Sequence, residues 1–196
     1  KTAPYGQVTG GSDTVYITCV DGKGNACSFI NSVYNNFGTG MIVPGTGIAL
    51  HNRGALFSLE PGHPNELAPN KRPYHTIIPA LATKDNELYL CYGMMGAFMQ
   101  PQGHLQLIRN MVDFGMDPQK AINALRFMVV DNGVLLEEGL PTDVVSQIQK
   151  MGHGVQMVSG YQRVGIGGAQ IIQRDSETGV LSAGSEPRKD GCAVGW

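Results

Sequence analysis

Hydrophobic positions in this chain gather into short runs separated by polar, glycine-rich stretches, and the spacing within each run sorts strands from helices. TVYITCV (residues 14–20) and ACSFINSV (26–33) are rich in β-branched and aromatic residues and flank the turn-forming stretch DGKGN, which predicts a hairpin over the first two strands. GTGMIVPGTGIALHNRG (38–54) is too punctuated by Gly and Pro for a helix, and residues 54–73 form a long polar, Pro-rich connection of the kind that often carries function. TIIPALATKDNELYLCYGMMG (76–96) predicts strand, charged turn, strand. In PQGHLQLIRNMVDFG (101–115), Leu105, Ile108, Met111 and Val112 recur at helical spacing and Gly115 closes the element. Asp117 and Pro118 read as cap and first residue of a second helix, PQKAINALRF (118–127). A brief strand, GVLLEEG, then a third helix ending at Gly152, then two strands, GGAQIIQRD and VLSAGSEP, complete the order. That order predicts one α+β domain built on an antiparallel sheet.

Composition narrows the possibilities without choosing among them. A chain of 196 residues with 42% hydrophobic residues can bury a sizeable core in one domain, and a net charge of −2 gives no basic field for nucleic acid or anionic lipid. No apolar run approaches the roughly 20 residues needed to span a bilayer. Cys19, Cys27, Cys91 and Cys192 lack zinc-knuckle spacing; the hairpin places Cys19 roughly opposite Cys27, so these two are either small buried thiols or a cross-strand bridge. His51, His63, His104 and His153 show no metal-binding spacing and are expected in loops or on helix surfaces. No metal or cofactor is expected.

The chemistry turns on Thr14, at the head of the first strand behind GGSD. A threonine there is ordinarily just a β-branched strand residue. As a nucleophile it needs a base, and no G-x-S-x-G signature supplies one. An N-terminal threonine carries its own base, an α-amine with a pKa of about 7.7–8.0, but only if the chain is cut before Thr14.

DTVYITCVDGKGNA, NNFGTG, PGTGIALHNRG, APNKRP, GMMGAFMQPQ and GSEPRKDGCAVGW, in this order, resemble the small subunit of the gamma-glutamyltransferase (gamma-glutamyltranspeptidase) family of N-terminal-nucleophile hydrolases, over nearly all of residues 13–196. The resemblance implies a four-layer αββα sandwich, of which this chain is the small-subunit portion. It also implies self-cleavage at Asp13–Thr14, with residues 1–13 as the tail of a large subunit and residues 14–196 as the catalytic small subunit of a heterodimer. Thr14 aligns with the family nucleophile, which forms an acyl-enzyme and passes the acyl group to water or an amine. Gly96 and Ala97 fall on the Gly-Gly pair of the oxyanion hole, and Ala97 keeps the backbone N–H that matters. Ser32 replaces a threonine that positions the nucleophile and keeps its hydroxyl.

The pattern slips where the family holds the substrate's amino and carboxylate groups. Tyr34 stands at an Asn position, Arg53 and Leu56 stand where glutathione-using members have Gln and Asp, and His75 and Thr76 replace two serines. The carboxylate that would pair with an α-ammonium is therefore absent, and Arg53 is either a fork for a substrate carboxylate or a solvated loop arginine. Three readings follow: a self-processing γ-glutamyl acyltransferase acting on a small-molecule amide, a related amidase or acylase for another acid amide, and a non-enzymatic homologue that has lost processing.

Overall fold

The computed structural model describes residues 14–196, so the stretch ahead of Thr14 and the Asp13 side of the expected cleavage bond lie outside the described residues. The first hairpin forms as expected: β1 (Val15–Val20) pairs antiparallel with β2 (Ala26–Asn31), and Cys19 and Cys27 are register partners. Asp21 shapes the connection by accepting from the N–H groups of Lys23 and Asn25, both at 2.9 Å. All four cysteines are free thiols, and Cys19 and Cys27 are exposed rather than buried.

A second sheet carries most of the core. β3 (Pro79–Lys84), β4 (Glu87–Met95), β8 (Gly168–Arg174) and β9 (Leu181–Ser185) lie side by side in that order, all antiparallel. On one face pack α1 (Met99–Val112) and α2 (Pro118–Asn123), burying Leu90, Met94, Leu107, Met111, Ile122 and Ile171 in one cluster. Against the other face lies the β1–β2 hairpin, which gives three layers: helices, sheet, sheet. The hairpin's far face, with Val15, Ile17 and Phe29, is exposed among the described residues. A third sheet joins β5 (Phe127–Val130), β6 (Gly133–Glu137) and β7 (Val155–Val158), with α3 (Thr142–Lys150) connecting the last two.

Four expectations are corrected. The buried stripe of α1 is Met99, Gln100, Gly103, His104, Leu107 and Met111, whereas Leu105 and Val112 are exposed. His104 is thus a core residue; its Nδ1 lies 2.7 Å from the Gln100 carbonyl, an intrahelical bond that lets a polar side chain sit inside, and burial pushes its pKa down. The second helix begins at the predicted cap, where the Asp117 carboxylate accepts from Lys120 N–H at 2.8 Å, but it ends at Asn123 because the chain turns to carry Arg126 inward. Its expected last residue, Phe127, instead begins β5, and neither β5 nor β7 stands out as a strand in the sequence. The β6–β7 pair is parallel, so the architecture is not purely antiparallel.

Candidate active site

The hairpin register fixes the surroundings of Thr14. Val15 pairs with Asn31 at the open end of the ladder, so Thr14 directly precedes that last pair in sequence and Ser32 directly follows it. Thr14 is buried, with 6% of its surface accessible. Ser32 Oγ accepts from Tyr34 N–H at 2.9 Å, which helps hold Tyr34 at a φ of 80°, in the left-handed region. The Arg53 guanidinium rests over the Tyr34 ring, 5.2 Å from its centroid. Asn52 stitches the two segments together: its N–H donates to the Val33 carbonyl at 3.1 Å and its Oδ1 accepts from Asn35 N–H at 3.1 Å.

Contacts between the sheets set β1 across β4. Thr18 Oγ donates to Cys91 Sγ at 2.7 Å, and the Tyr16 ring lies over Gly93, where any Cβ would collide with it. Burial raises the Tyr16 pKa, and its hydroxyl pairs with Ser28 Oγ at 2.6 Å, so it serves as a neutral spacer between the sheets. The two strands cross with Thr18 at Cys91 and Tyr16 at Gly93, so the Thr14 end of β1 points towards the Met95 end of β4, which leads into Gly96 and Ala97.

Gly96 and Ala97 form the turn from β4 into α1, with φ values of 132° and 49°. Their carbonyls accept from Met99 N–H at 2.9 Å and Gln100 N–H at 3.0 Å, so the N–H groups of Gly96 and Ala97 lie ahead of the helix's own donors. The positive end of the 14-residue α1 stands behind them, an electrostatic setting that favours an oxyanion. The segment holding His75 and Thr76 crosses this same helix start: Tyr74 stacks on Phe98 at 6.2 Å, and Ile78 N–H donates to Gln100 Oε1 at 3.2 Å. Thr76 is buried there and His75 is exposed.

The family model described as gamma-glutamyltranspeptidase matches residues 1–196. The chain belongs to the gamma-glutamyltranspeptidase family. It is 39% identical over 191 residues to the glutathione hydrolase-like YwrD proenzyme of Bacillus subtilis, covering 94% of this chain and 36% of that protein. It is 34% identical over 202 residues to the oxamate amidohydrolase proenzyme of Klebsiella pneumoniae, covering 100% of this chain and 38% of that protein. Among solved structures, cephalosporin acylase from Bacillus halodurans superposes with a TM-score of 0.87 at 47% identity, over 92% of this chain and 34% of that one. The fold is thus the N-terminal-nucleophile hydrolase fold expected from the motifs, and the chain spans little more than a third of the curated relatives it matches.

Within this gamma-glutamyltranspeptidase chain, the residues singled out in the sequence fall into three groups. Thr14 and Ser32 flank the last pair of the hairpin, Gly96 and Ala97 follow the end of β4, and Tyr34 with Arg53 adjoins Ser32. Leu56 ends the short 3-10 turn that Arg53 begins and is half-buried. His75 and Thr76 lie on the helix side of the turn.

What the sequence does not reveal is the cluster that braces this region from behind. Glu137 Oε1 accepts from Arg188 Nε at 2.5 Å and Arg163 Nε at 2.7 Å, and Glu137 Oε2 accepts from Arg188 Nη2 at 2.6 Å and Arg126 N–H at 2.7 Å. Glu186 takes Arg126 Nη2 at 2.7 Å, Arg188 Nη1 at 2.8 Å and Ala169 N–H at 2.9 Å. Arg126 Nη1 donates to the Gly167 carbonyl at 3.3 Å, and Gly167 packs against Gly96. The only trace of this cluster in the sequence is the family segment GSEPRKDG, to which no chemistry attaches before the fold is known. Among the described residues, no group of His, Cys, Asp and Glu is arranged to hold a metal ion, and no helix is long and apolar enough to cross a membrane.

Proposed function

We propose that Thr14 is the nucleophile of a self-processing amidohydrolase and acyltransferase, released as an N-terminal residue by cleavage of the Asp13–Thr14 bond. The observation that carries this reading is the position of Thr14: buried at the head of β1, a strand that crosses β4 with Tyr16 at Gly93 on the way to the Gly96–Ala97 turn. Family membership supports it, as does the description of both curated relatives named above as proenzymes.

In maturation the Thr14 hydroxyl attacks the Asp13 carbonyl, the peptide becomes an ester as the Thr14 nitrogen leaves, and water hydrolyses the ester to give a free Asp13 carboxylate and a free Thr14 amine. In turnover that amine takes the hydroxyl proton while the oxygen attacks the amide carbonyl of a γ-glutamyl or similar acyl donor. The N–H groups of Gly96 and Ala97 receive the negative oxygen, the amine product leaves with the proton, and an acyl ester remains on Thr14. Water, or an acceptor amine, then releases the acyl group. Ser32 positions the nucleophile, and Tyr34, Arg53, His75 and Thr76 line the donor site. The residues ahead of Thr14 belong to a large subunit that pairs with this one.

Intact-mass measurement on the full-length protein tests the reading. The expected result is two fragments split between Asp13 and Thr14, with Thr14→Ala remaining intact and without amidase turnover. A wild-type chain that never splits on long incubation, or amidase activity that persists in Thr14→Ala, sinks it.

A further inference from the structure

We propose that Gln100 is a positioning residue: its side chain ties the segment that carries Thr76 to the Gly96–Ala97 turn, so that the grip on the acyl donor and the oxyanion donors are held in one frame. This rests on the Thr14 reading, which makes that turn and Thr76 parts of one site.

Gln100 lies in the first turn of α1 and is 1% accessible. Burying an amide is costly unless it is hydrogen-bonded, and an apolar side chain would serve packing alone better, so this one calls for a use beyond packing. Its Oε1 accepts from Ile78 N–H at 3.2 Å, while its own N–H donates to the Ala97 carbonyl at 3.0 Å. One residue thus holds the turn by its backbone and the earlier segment by its side chain. That segment is gripped on either side of the buried Thr76: Tyr74 stacks on Phe98 at 6.2 Å, and Ile78, which stands just ahead of the β3 ladder, bonds Gln100. His104 braces Gln100 in turn. A carbonyl only accepts, so His104 Nδ1 carries the proton in its 2.7 Å bond to the Gln100 carbonyl.

Gln100 and His104 are enclosed by residues of this chain itself, so these bonds do not depend on what a large subunit adds around them. Other glutamines show what the same bond does elsewhere. Gln106, further along α1, accepts from Phe127 N–H at 3.2 Å and donates to the Phe127 carbonyl at 2.9 Å. Gln102 does the same with Val129, and Gln119 with Ser185. Those side chains use both amide atoms to stitch β5 and β9 to the helices. Gln100 spends its acceptor on the segment beside the Gly96–Ala97 turn, where a small displacement moves donor and oxyanion groups relative to one another.

The test uses the full-length protein and two probes: L-γ-glutamyl-p-nitroanilide, and p-nitrophenyl acetate, whose acetyl group has nothing to present to a donor pocket. Gln100→Met keeps the volume and removes the acceptor; Gln100→Glu keeps an acceptor oxygen, and a carboxylate suits a helix start. Gln106→Met removes a matching bond away from the turn. Per cleaved molecule, Gln100→Met should lose about tenfold in kcat/KM on the anilide, as one unmade hydrogen bond provides, with KM raised and kcat lowered together. On the acetate only kcat should fall. Gln100→Glu should recover most of both losses, and Gln106→Met should match wild type. Tyr74→Leu, which loosens the other grip on Thr76 without touching the helix, should shift the anilide constants in the same sense, and it decides the matter if Gln100→Met does not fold. Wild-type constants in Gln100→Met or, if that protein does not fold, in Tyr74→Leu overturn the proposal, as does a loss that Gln100→Glu fails to recover or an equal loss in Gln106→Met. Cleaved wild-type protein inert towards both probes overturns it together with the acyl transfer it serves, whereas a chain that never exposes Thr14 fails at the underlying reading instead.

Discussion

Gly96 and Gly167 touch backbone to backbone: a Cβ built on Gly96 would lie 2.8 Å from Gly167 Cα, and one built on Gly167 would lie 2.8 Å from the Met95 carbonyl oxygen. The turn that presents the Gly96 and Ala97 N–H groups thus leans on a second loop, and Arg126 holds that loop by its carbonyl. Gly96→Ala is expected to destabilise the protein by about 1–3 kcal/mol through overpacking and to lower kcat by roughly 10²–10³ as the donors shift. Chemical denaturation and steady-state kinetics would measure both. Unchanged activity in Gly96→Ala would remove the turn from the chemistry.

Ala97 should behave in the opposite way. It has a φ of 49°, so alanine carries a left-handed penalty of about 1–2 kcal/mol that glycine would relieve, offset by about 0.5–1 kcal/mol of extra chain entropy in the unfolded state. Ala97→Gly is therefore expected to be neutral or slightly stabilising and to retain activity, since it keeps the N–H. A denaturation midpoint well below wild type would show that the methyl group has a packing role.

Ser32 offers a test of hydroxyl function that avoids the nucleophile. Ser32→Ala leaves Tyr34 N–H without its acceptor and loosens the Tyr34–Arg53 stack, which should cost about 1 kcal/mol, roughly five- to tenfold in kcat/KM. Ser32→Thr, which keeps the oxygen, should stay close to wild type. Equal activity of all three proteins would take Ser32 out of the site.

Glu137 sets an acid limit on stability. Burial on its own would raise its pKa, but hydrogen bonds from Arg188, Arg163 and Arg126 N–H outweigh burial and hold it down at about 2, against an ordinary 4.5. Because the folded value is the lower one, the stabilisation is fully present above about pH 4.5 and drains away as the pH falls towards 2, by about 3 kcal/mol in all. Urea titrations at pH 6, 4 and 3 should show this loss, and Glu137→Gln should flatten it while costing about 3–5 kcal/mol at neutral pH, because the buried Arg188 and the half-buried Arg163 lose their carboxylate while Arg188 keeps only its pair with Glu186. A variant with the wild-type pH slope would place the acid sensitivity elsewhere.

The elements whose signals are local were legible in the sequence. The β1–β2 hairpin follows from its β-branched runs and the Asp21 turn, and the start of α2 from Asp117 and Pro118, because each depends on residues only a few positions apart. The stripe of α1 was misread because packing against β4 selected Gln100 and His104 over Leu105 and Val112, a choice made by tertiary contact and not by hydrophobicity. The catalytic candidates were found through family motifs; the structure adds that β1, which Thr14 precedes, crosses β4 with Thr18 at Cys91 and Tyr16 at Gly93, contacts that no sequence window reveals. The ion cluster was unreadable for the same reason: Arg126 reaches Glu186 across 60 positions and Arg188 reaches Glu137 across 51, and no window on the sequence spans such separations.

The order of synthesis gives the Arg126 brace a temporal meaning. Thr14 is translated before Glu186 and Arg188, which lock Arg126 and through it Gly167 against Gly96. The Gly96–Ala97 turn therefore gains its Arg126 brace only after Glu186 and Arg188 have been made. A ribosome stalled before Glu186 would carry that turn without the ion pairs that hold it.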